Sequence, residues 1–335
     1  MQFNAKIYIS VSIIRLYMNT EQLKAIIGDQ KEQIKKEVTG KRIIHREFLG
    51  YWNIWMNENM IKIITGPRRS RKSIFSLQLL EEKNFVYLNF DDERLVNIKP
   101  SELNMIIESF HQLYGDFKFI FFDEIQNIES WELFVNRLKR QGYNLLITGS
   151  NAKLLSKEFA THLTGRYIPI EILPFSFREY LTFENFKIEN DTFYNTRKRA
   201  YLNRKLQEYL EFGGFPEILN DKSKVKLYLQ TLYSTILTRD VIGRYRIKFL
   251  KTIKEISNYL ISNFAQPVSY NKIKNVFNLN SVHTVKNYVK YLEDAYLIFC
   301  IEKYSKKHKE ILASAKKVYC IDTGLINAIS FKSDE

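Results

Sequence analysis

Short apolar runs alternate with amphipathic stretches through the middle of the chain: MIKIIT then SIFSLQLLEE, NFVYLNF then SELNMIIESFHQLY, KFIFFDE then SWELFVNRLKRQ, NLLITGS then AKLLSKEFATHL, and last YIPIEIL. Apolar runs without polar alternation suit strands buried on both faces, and the stretches between them carry helical spacing. Five strands separated by helices imply a parallel sheet covered on both sides with right-handed crossovers, an α/β three-layer core over residues 49–174. Upstream, residues 19–48 read as a charged amphipathic helix with breaks at Gly28 and Gly40, and HREFLGYWNIWMN predicts a core-facing helix just before the first strand. After Pro174 the strands cease. SFREYLTFE, RKRAYLNRKLQEYLEF and KLYLQTLYSTILTRDVIG predict a helical unit over 175–250, divided by a Gly-Gly-Phe-Pro break at Gly213 to Pro216, with an aromatic stripe that reads as core. From Phe249 the pattern gives three helices, a strand, the basic segment SKKHKEILASAKK and a second strand, KVYCID. Asn280 or Ser281 caps a helix with Val282, Val285, Val289 and Leu292 at helical spacing. Helix, helix, short turn, helix and β-hairpin define a winged helix-turn-helix over 251–328, leaving a tail at 329–335 and an N-terminal extension and helical segment over 1–48.

Composition narrows the class. With 335 residues, the chain has room for two or three modules that each bury a core, and 45% hydrophobic against 26% charged residues excludes disorder as the default. The 51 Lys and Arg against 37 Asp and Glu leave +14, which suits a polyanionic partner; a solvated lysine surface accounts for it equally well. Two cysteines, Cys300 and Cys320, exclude a disulfide framework and a four-cysteine zinc site and fit a reducing compartment, and the five histidines add no metal spacing. The opening MQFNAKIYISVSIIRLYM is too short in its apolar run to span a bilayer and lacks a cleavage pattern. A cytoplasmic location without membrane contact is the expectation, with residues 1–17 an added strand or an upstream start.

The candidate chemistry centres on MIKIITGPRRSRKS, Met60 to Ser73. An apolar strand leads into Gly-Pro, then arginines, then Lys-Ser, the order of a P-loop, G-x-x-x-x-G-K-[ST]. Gly66, Pro67, Arg68, Arg69, Ser70, Arg71, Lys72 and Ser73 fill its eight positions, with Arg71 where the second glycine stands. Such a loop wraps phosphates with backbone N–H groups at a helix N-terminus, so Lys72 is expected at the β- and γ-phosphates of ATP and Ser73 on Mg²⁺. The third strand ends in Asp123 and Glu124, the first placed to hold Mg²⁺ and the second to orient or deprotonate the attacking water. The fourth ends in Thr148, Gly149, Ser150 and Asn151, where a polar side chain from Ser150 or Asn151 would lie near the γ-phosphate or the water. Gly149-Ser150-Asn151-Ala152 lacks the second glycine of a hydrolase nucleophile elbow. Arg71 leaves two readings open: a side chain that obstructs phosphate approach, at about 1–2 kcal/mol for a positive φ, or an added charge for phosphate.

GPRRSRKS, VYLNFDDERL, FIFFDEIQN, LLITGSNAKLLS, LTGRYIPIEILPFSFREYL and GGFPE together resemble the archaeal and bacterial AAA-type ATPases with a C-terminal winged helix, over residues 20–328. The resemblance implies a P-loop NTPase core with sheet order 5-1-4-3-2 and a helical lid. It also implies Arg166, in LTGRY, as an arginine finger for a neighbouring subunit in a homo-oligomer, beside the plain alternative of a structural arginine. Relatives of this kind commonly continue into a restriction-nuclease-like domain; the sequence ends at Glu335, so no nuclease is expected. On the winged helix, Lys286, Asn287 and Lys290 would lie on the recognition helix and Lys306, Lys307 and Lys309 at the tip of the wing hairpin, for DNA contact or as solvated residues of a protein-interaction module. The expectation is an ATP-binding, Mg²⁺-dependent AAA-type ATPase with slow hydrolysis coupled to a DNA or protein partner, centred on Lys72, Ser73, Asp123 and Glu124. The alternative is a degenerate P-loop protein acting as a DNA-binding regulator or assembly scaffold without turnover.

Overall fold

The apolar runs pair as their pattern requires. In the computed structural model, which describes residues 18–39, 43–150 and 166–330, five strands form one parallel sheet: β1 (Ile61–Thr65), β2 (Phe85–Asn89), β3 (Phe119–Asp123), β4 (Asn144–Gly149) and β5 (Tyr167–Glu171). Their order, β2-β3-β4-β1-β5, is 5-1-4-3-2 read from the other edge. β1, β3 and β4 are buried along their whole length, which is why their sequences lack polar alternation. Successive residues serve opposite faces. Ile63, Phe122 and Ile147 pack with Leu23, Ile27, Phe110 and Leu138, while Ile64, Phe121 and Leu146 pack with Met56, Phe75 and Leu79. Each such side chain contributes about 1.5–3 kcal/mol by leaving water. Lys62 shares the centre of β1, with its Nζ donating to the carbonyls of Met56 (3.1 Å) and Glu58 (2.6 Å).

One upstream expectation is corrected and another narrowed. The helix Thr20–Thr39 runs unbroken through Gly28, because burial of Leu23, Ile26 and Ile27 outweighs the roughly 1 kcal/mol helical cost of one glycine. The segment HREFLGYWNIWMN faces the core along one narrow edge: Leu49, Trp52 and Met56 pack against the sheet cluster, while Phe48, Tyr51 and Ile54 are 66%, 54% and 71% exposed. The expected helix AKLLSKEFATHL, Gly40 and residues 1–17 lie outside the described residues.

Beyond β5, the helices Phe177–Phe183, Thr196–Phe212, Val225–Thr235, Leu250–Ser262, Tyr270–Val276, Val282–Asp294 and Thr323–Ile329 surround a small antiparallel sheet. Its strands β6 (Pro267–Val268), β7 (Ile298–Ile301) and β8 (Lys316–Cys320) lie in the order β6-β8-β7. Leu229, Ile236, Val241, Ile256, Val289 and Leu325 share one cluster, so residues 175–250 and 251–328 bury a common core. Ser281 is the residue that caps Val282–Asp294, accepting from the His283 N–H at 3.0 Å. β6 and the last helix were not anticipated, the first because two residues carry no period. The β7–β8 connection is not a bare hairpin tip either; it contains the short helix His308–Ala313.

The Gly-Gly-Phe-Pro break is a clasp. Gly214 donates to Asp322 Oδ2 (2.7 Å) and accepts from the Phe175 N–H (2.7 Å), tying the chain just beyond β5 to the cap of the last helix. A Cβ on Gly214 would stand 2.3 Å from the Phe175 carbonyl oxygen, and Gly213 has φ +85°.

Candidate functional site

The loop after β1 is shaped by a close backbone approach. The Ile172 N–H donates to Thr65 O at 2.8 Å, and a Cβ on Gly66 would lie 2.0 Å from Ile172 O, so only glycine fits there. Arg69 and Arg71 take left-handed backbones, φ +66° and +61°. Arg71, at φ 61° and ψ 42°, immediately precedes the helix Lys72–Leu79 and adopts the conformation expected of the glycine it replaces. An arginine thus holds a left-handed backbone that glycine would take without steric cost. Lys72 is 6% exposed and folds over the loop, its Nζ donating to Gly66 O (3.1 Å) and Pro67 O (3.0 Å), and burial lowers its pKa. Ser70 Oγ donates to Pro67 O (3.0 Å).

Arg46, which no motif flagged, braces this loop from behind. Its Nη1 donates to Ser70 O (3.2 Å), its Nη2 to Leu173 O (2.8 Å) and its Nε to Glu179 Oε1 (2.7 Å), with only 10% and 7% of the two side chains exposed. Pairs so buried are costly to break, about 3–5 kcal/mol when one partner is removed.

The carboxylates stand across from the loop at the end of β3. Ser73 Oγ donates to Asp123 Oδ2 at 2.6 Å, and Tyr87 OH donates to the same oxygen at 3.4 Å. Thr148 Oγ1 donates to Asp123 Oδ1 and accepts from the Glu124 N–H (3.1 Å), so one hydroxyl sets both acidic residues. Burial, followed by the charge of Glu124, pushes Asp123 up to about 6, against the hydrogen bonds of Ser73 and Thr148 and the charge of Lys72. Glu124 has φ +51°, and the Gln126 amide donates to its Oε2. Ser150 lies buried just beyond β4, and its hydroxyl has no partner among the described residues; Asn151 lies outside them.

Lys72, Ser73, Asp123 and Glu124 thus line one cleft of about 400 Å³, together with Arg68, Arg69, Arg71 and Tyr87. The arginines reach the C-terminal helices: Arg68 pairs with Asp240 (2.8 Å) and Arg69 with Glu217 (3.1 Å). Arg166 lies elsewhere. It is exposed just ahead of β5, where its carbonyl accepts from the Ile61 N–H (3.0 Å), one strand length or roughly 16 Å from the loop end of the sheet, so any role at a nucleotide requires a second copy of the chain. Lys286 is exposed, Asn287 is half-buried with its amide 3.2 Å from His283 Nδ1, and Lys290 is exposed but ion-paired to Asp294 (2.9 Å). Lys306, Lys307 and Lys309 are exposed on the β7–β8 connection, Lys307 within 3.4 Å of Glu310.

Among the described residues no three His, Cys, Asp or Glu side chains are grouped to hold a metal. Mg²⁺ needs no such group, since it takes one or two protein oxygens and fills its octahedron with water and phosphate. The Ser73 hydroxyl and Asp123 carboxylate supply two hard oxygen donors side by side at the phosphate loop, which fits that habit.

Residues 58–181 match the AAA domain family, and residues 203–335 match a domain family of unknown function. An uncharacterized protein of Methanocaldococcus jannaschii is 40% identical over 320 residues, spanning 92% of this chain and 69% of that protein. The chain belongs to the AAA domain family. A second relative, an uncharacterized protein of Haemophilus influenzae, is 30% identical over 302 residues, 85% of this chain and 73% of its own. The AAA fold extends to a Walker-type ATPase of Pyrococcus abyssi, which superposes with a TM-score of 0.54 at 13% identity over 86% of this chain and 96% of that one. At that identity the likeness concerns the fold alone. No helix among the described residues of this AAA protein is long and apolar enough to cross a membrane.

Proposed function

We propose that the chain binds ATP with Mg²⁺ in the cleft between the phosphate loop and Asp123-Glu124 and hydrolyses it slowly, in the cytoplasm. The observation that carries this reading is the Ser73–Asp123 hydrogen bond of 2.6 Å, since it joins the loop's hydroxyl to the strand-end carboxylate at the spot a phosphate-bound cation requires. In this reading the loop N–H groups and Lys72 hold the phosphates, Lys72 exchanging its two loop carbonyls for phosphate oxygens. Ser73 and Asp123 would hold Mg²⁺, which when bound neutralises phosphate charge. Glu124, its backbone fixed by Thr148, orients the attacking water and accepts its proton, and the buried Ser150 hydroxyl, without a partner among the described residues, lies just beyond the adjacent strand end. Arg166 acts only in a homo-oligomer, at a neighbour's nucleotide. Purified protein is expected to release phosphate from ATP, with Lys72→Ala and Glu124→Gln each lowering the rate. Equal rates in all three proteins would remove the enzymatic claim.

We also infer that the unit over residues 251–328 is a winged helix that contacts DNA. Three helices against a three-stranded antiparallel sheet support this, as do the exposed Lys286 beside Asn287 on Val282–Asp294 and the exposed Lys306, Lys307 and Lys309 on the β7–β8 connection. Affinity for duplex DNA is expected to fall with rising salt, and removing Lys286, Lys306 or Lys309 to lower that slope by about one each; Lys290, already paired with Asp294, has a smaller effect. A salt slope unmoved by these changes rules the surface out.

A further inference from the structure

Asp240 is the one acidic residue outside β3 that reaches the phosphate loop through a buried, bidentate pair among the described residues. It accepts from Arg68 Nε on Oδ2 (2.8 Å) and from Arg68 Nη2 on Oδ1 (3.1 Å), and only 3% of its side chain is exposed. A guanidinium carries five N–H groups, and this contact uses one edge of the fork. Arg68 also lines the cleft beside Lys72, Ser73 and Glu124, so one residue belongs both to the pair with Asp240 and to the cleft wall.

The segment that carries Asp240 is unusual. The helix Val225–Thr235 loosens into a π-helical stretch, Ile236–Gly243, a winding that is rare and often kept at functional sites. Ile236, Leu237 and Val241 are buried in the C-terminal core, and Arg244 approaches Asp240 from one turn on (3.7 Å), which holds the carboxylate in place. Immediately beyond, Tyr245 stacks on Tyr291 at 3.7 Å and donates to Asp294 Oδ2 at 2.7 Å. Both partners belong to Val282–Asp294. The π-helical stretch therefore touches the phosphate loop through Asp240 and leads directly to the helix that bears Lys286.

We propose that Asp240 is a positioning residue for the nucleotide: it holds Arg68 by one edge so that the other edge meets a phosphate oxygen, and it thereby couples occupancy of the cleft to the segment Ile236–Gly243. The inference rests on the reading of the cleft as an ATP site. A phosphate on the free edge and Asp240 on the other share one rigid fork, so filling the cleft fixes Arg68, and a fixed Arg68 fixes Asp240. By reciprocity, loosening the segment weakens nucleotide binding by the same factor.

The test combines hydrogen exchange and binding in the full chain, with a non-hydrolysable ATP analogue and Mg²⁺ as the probe. In the wild type, saturating probe is expected to slow amide exchange across residues 236–243. Asp240→Asn is expected to bind the probe about tenfold more weakly or worse and to lose the exchange response, because the amide cannot replace a charge-assisted fork. Asp240→Glu, which can rebuild the fork, recovers part of both. An Asp240→Asn protein that melts earlier but binds like the wild type would assign a purely structural role and overturn the proposal. If that variant does not fold, the wild type decides alone: probe bound with exchange at 236–243 unchanged overturns the coupling while leaving the ATP site intact. A wild type that binds no probe overturns both.

Discussion

At the scale of single residues, Arg71 and Asp123 fix what the cleft can do. Arg71 holds φ +61°, a left-handed backbone that costs a side chain about 1–2 kcal/mol and glycine little. Arg71 also lines the cleft, which adds a cation where phosphates would sit. Backbone geometry is thus no reason for the site to be silent. Asp123 gives the cleft its pH dependence. Burial and Glu124 raise it from 3.8 to about 6, so the folded chain binds this proton more tightly than the unfolded chain does. Its contribution therefore lowers stability as pH rises from about 4 to 6 and is fully present above 6. A cation needs the deprotonated form. Affinity for Mg²⁺-nucleotide is expected to fall as pH drops through about 6, more steeply in the wild type than in Asp123→Asn. Titrations at pH 5, 6 and 7.5 check this, and an equal slope in the variant contradicts it.

Among elements, the joints between the sheet and the C-terminal helices decide whether the site is assembled. The Gly213-Gly214 clasp links Phe175 to Asp322, whose own carboxyl is raised to about 6 by burial against its backbone hydrogen bonds. Gly214→Ala places a Cβ 2.3 Å from a backbone oxygen, so a loss of roughly 1–3 kcal/mol and a melting point lower by several degrees are expected in calorimetry. An unchanged melting point would mean that the clasp yields freely. These joints also mark where reading the sequence succeeds and where it stops. β3 and β4 were legible because burial on both faces removes polar residues from FIFF and LLI. Lys72, Ser73, Asp123 and Glu124 were legible because motif spacing and strand ends put chemistry at fixed offsets. Arg46, Glu217 and Asp240 reach the loop from 24, 148 and 172 positions away through tertiary packing, which no local period encodes. The Leu49–Ile54 segment was legible only in part: Leu49, Trp52 and the following Met56 face the core, while its other aromatic and aliphatic side chains are exposed.

For the molecule as a whole, the C-terminal half is built onto the loop after β1 rather than tethered beside it. Tyr296, in the turn before β7, donates from its hydroxyl to Thr65 Oγ1 at 2.9 Å, one residue before Gly66. With Arg68–Asp240 and Arg69–Glu217 this makes three polar links between the loop end of the sheet and the helices that follow. A core so connected gives the proposed coupling between the cleft and the C-terminal helices a covalent and polar route. That view depends on the cleft accepting nucleotide despite Arg71. The most direct measurement is a calorimetric titration of the wild type, Arg71→Gly and Lys72→Ala with a non-hydrolysable ATP analogue and Mg²⁺. Binding by the wild type, within about threefold of Arg71→Gly since Arg71 already holds a left-handed backbone open to glycine, and a loss of tenfold or about that in Lys72→Ala are the predicted results. A wild type that binds nothing, or that binds only once Arg71 becomes glycine, would contradict the account.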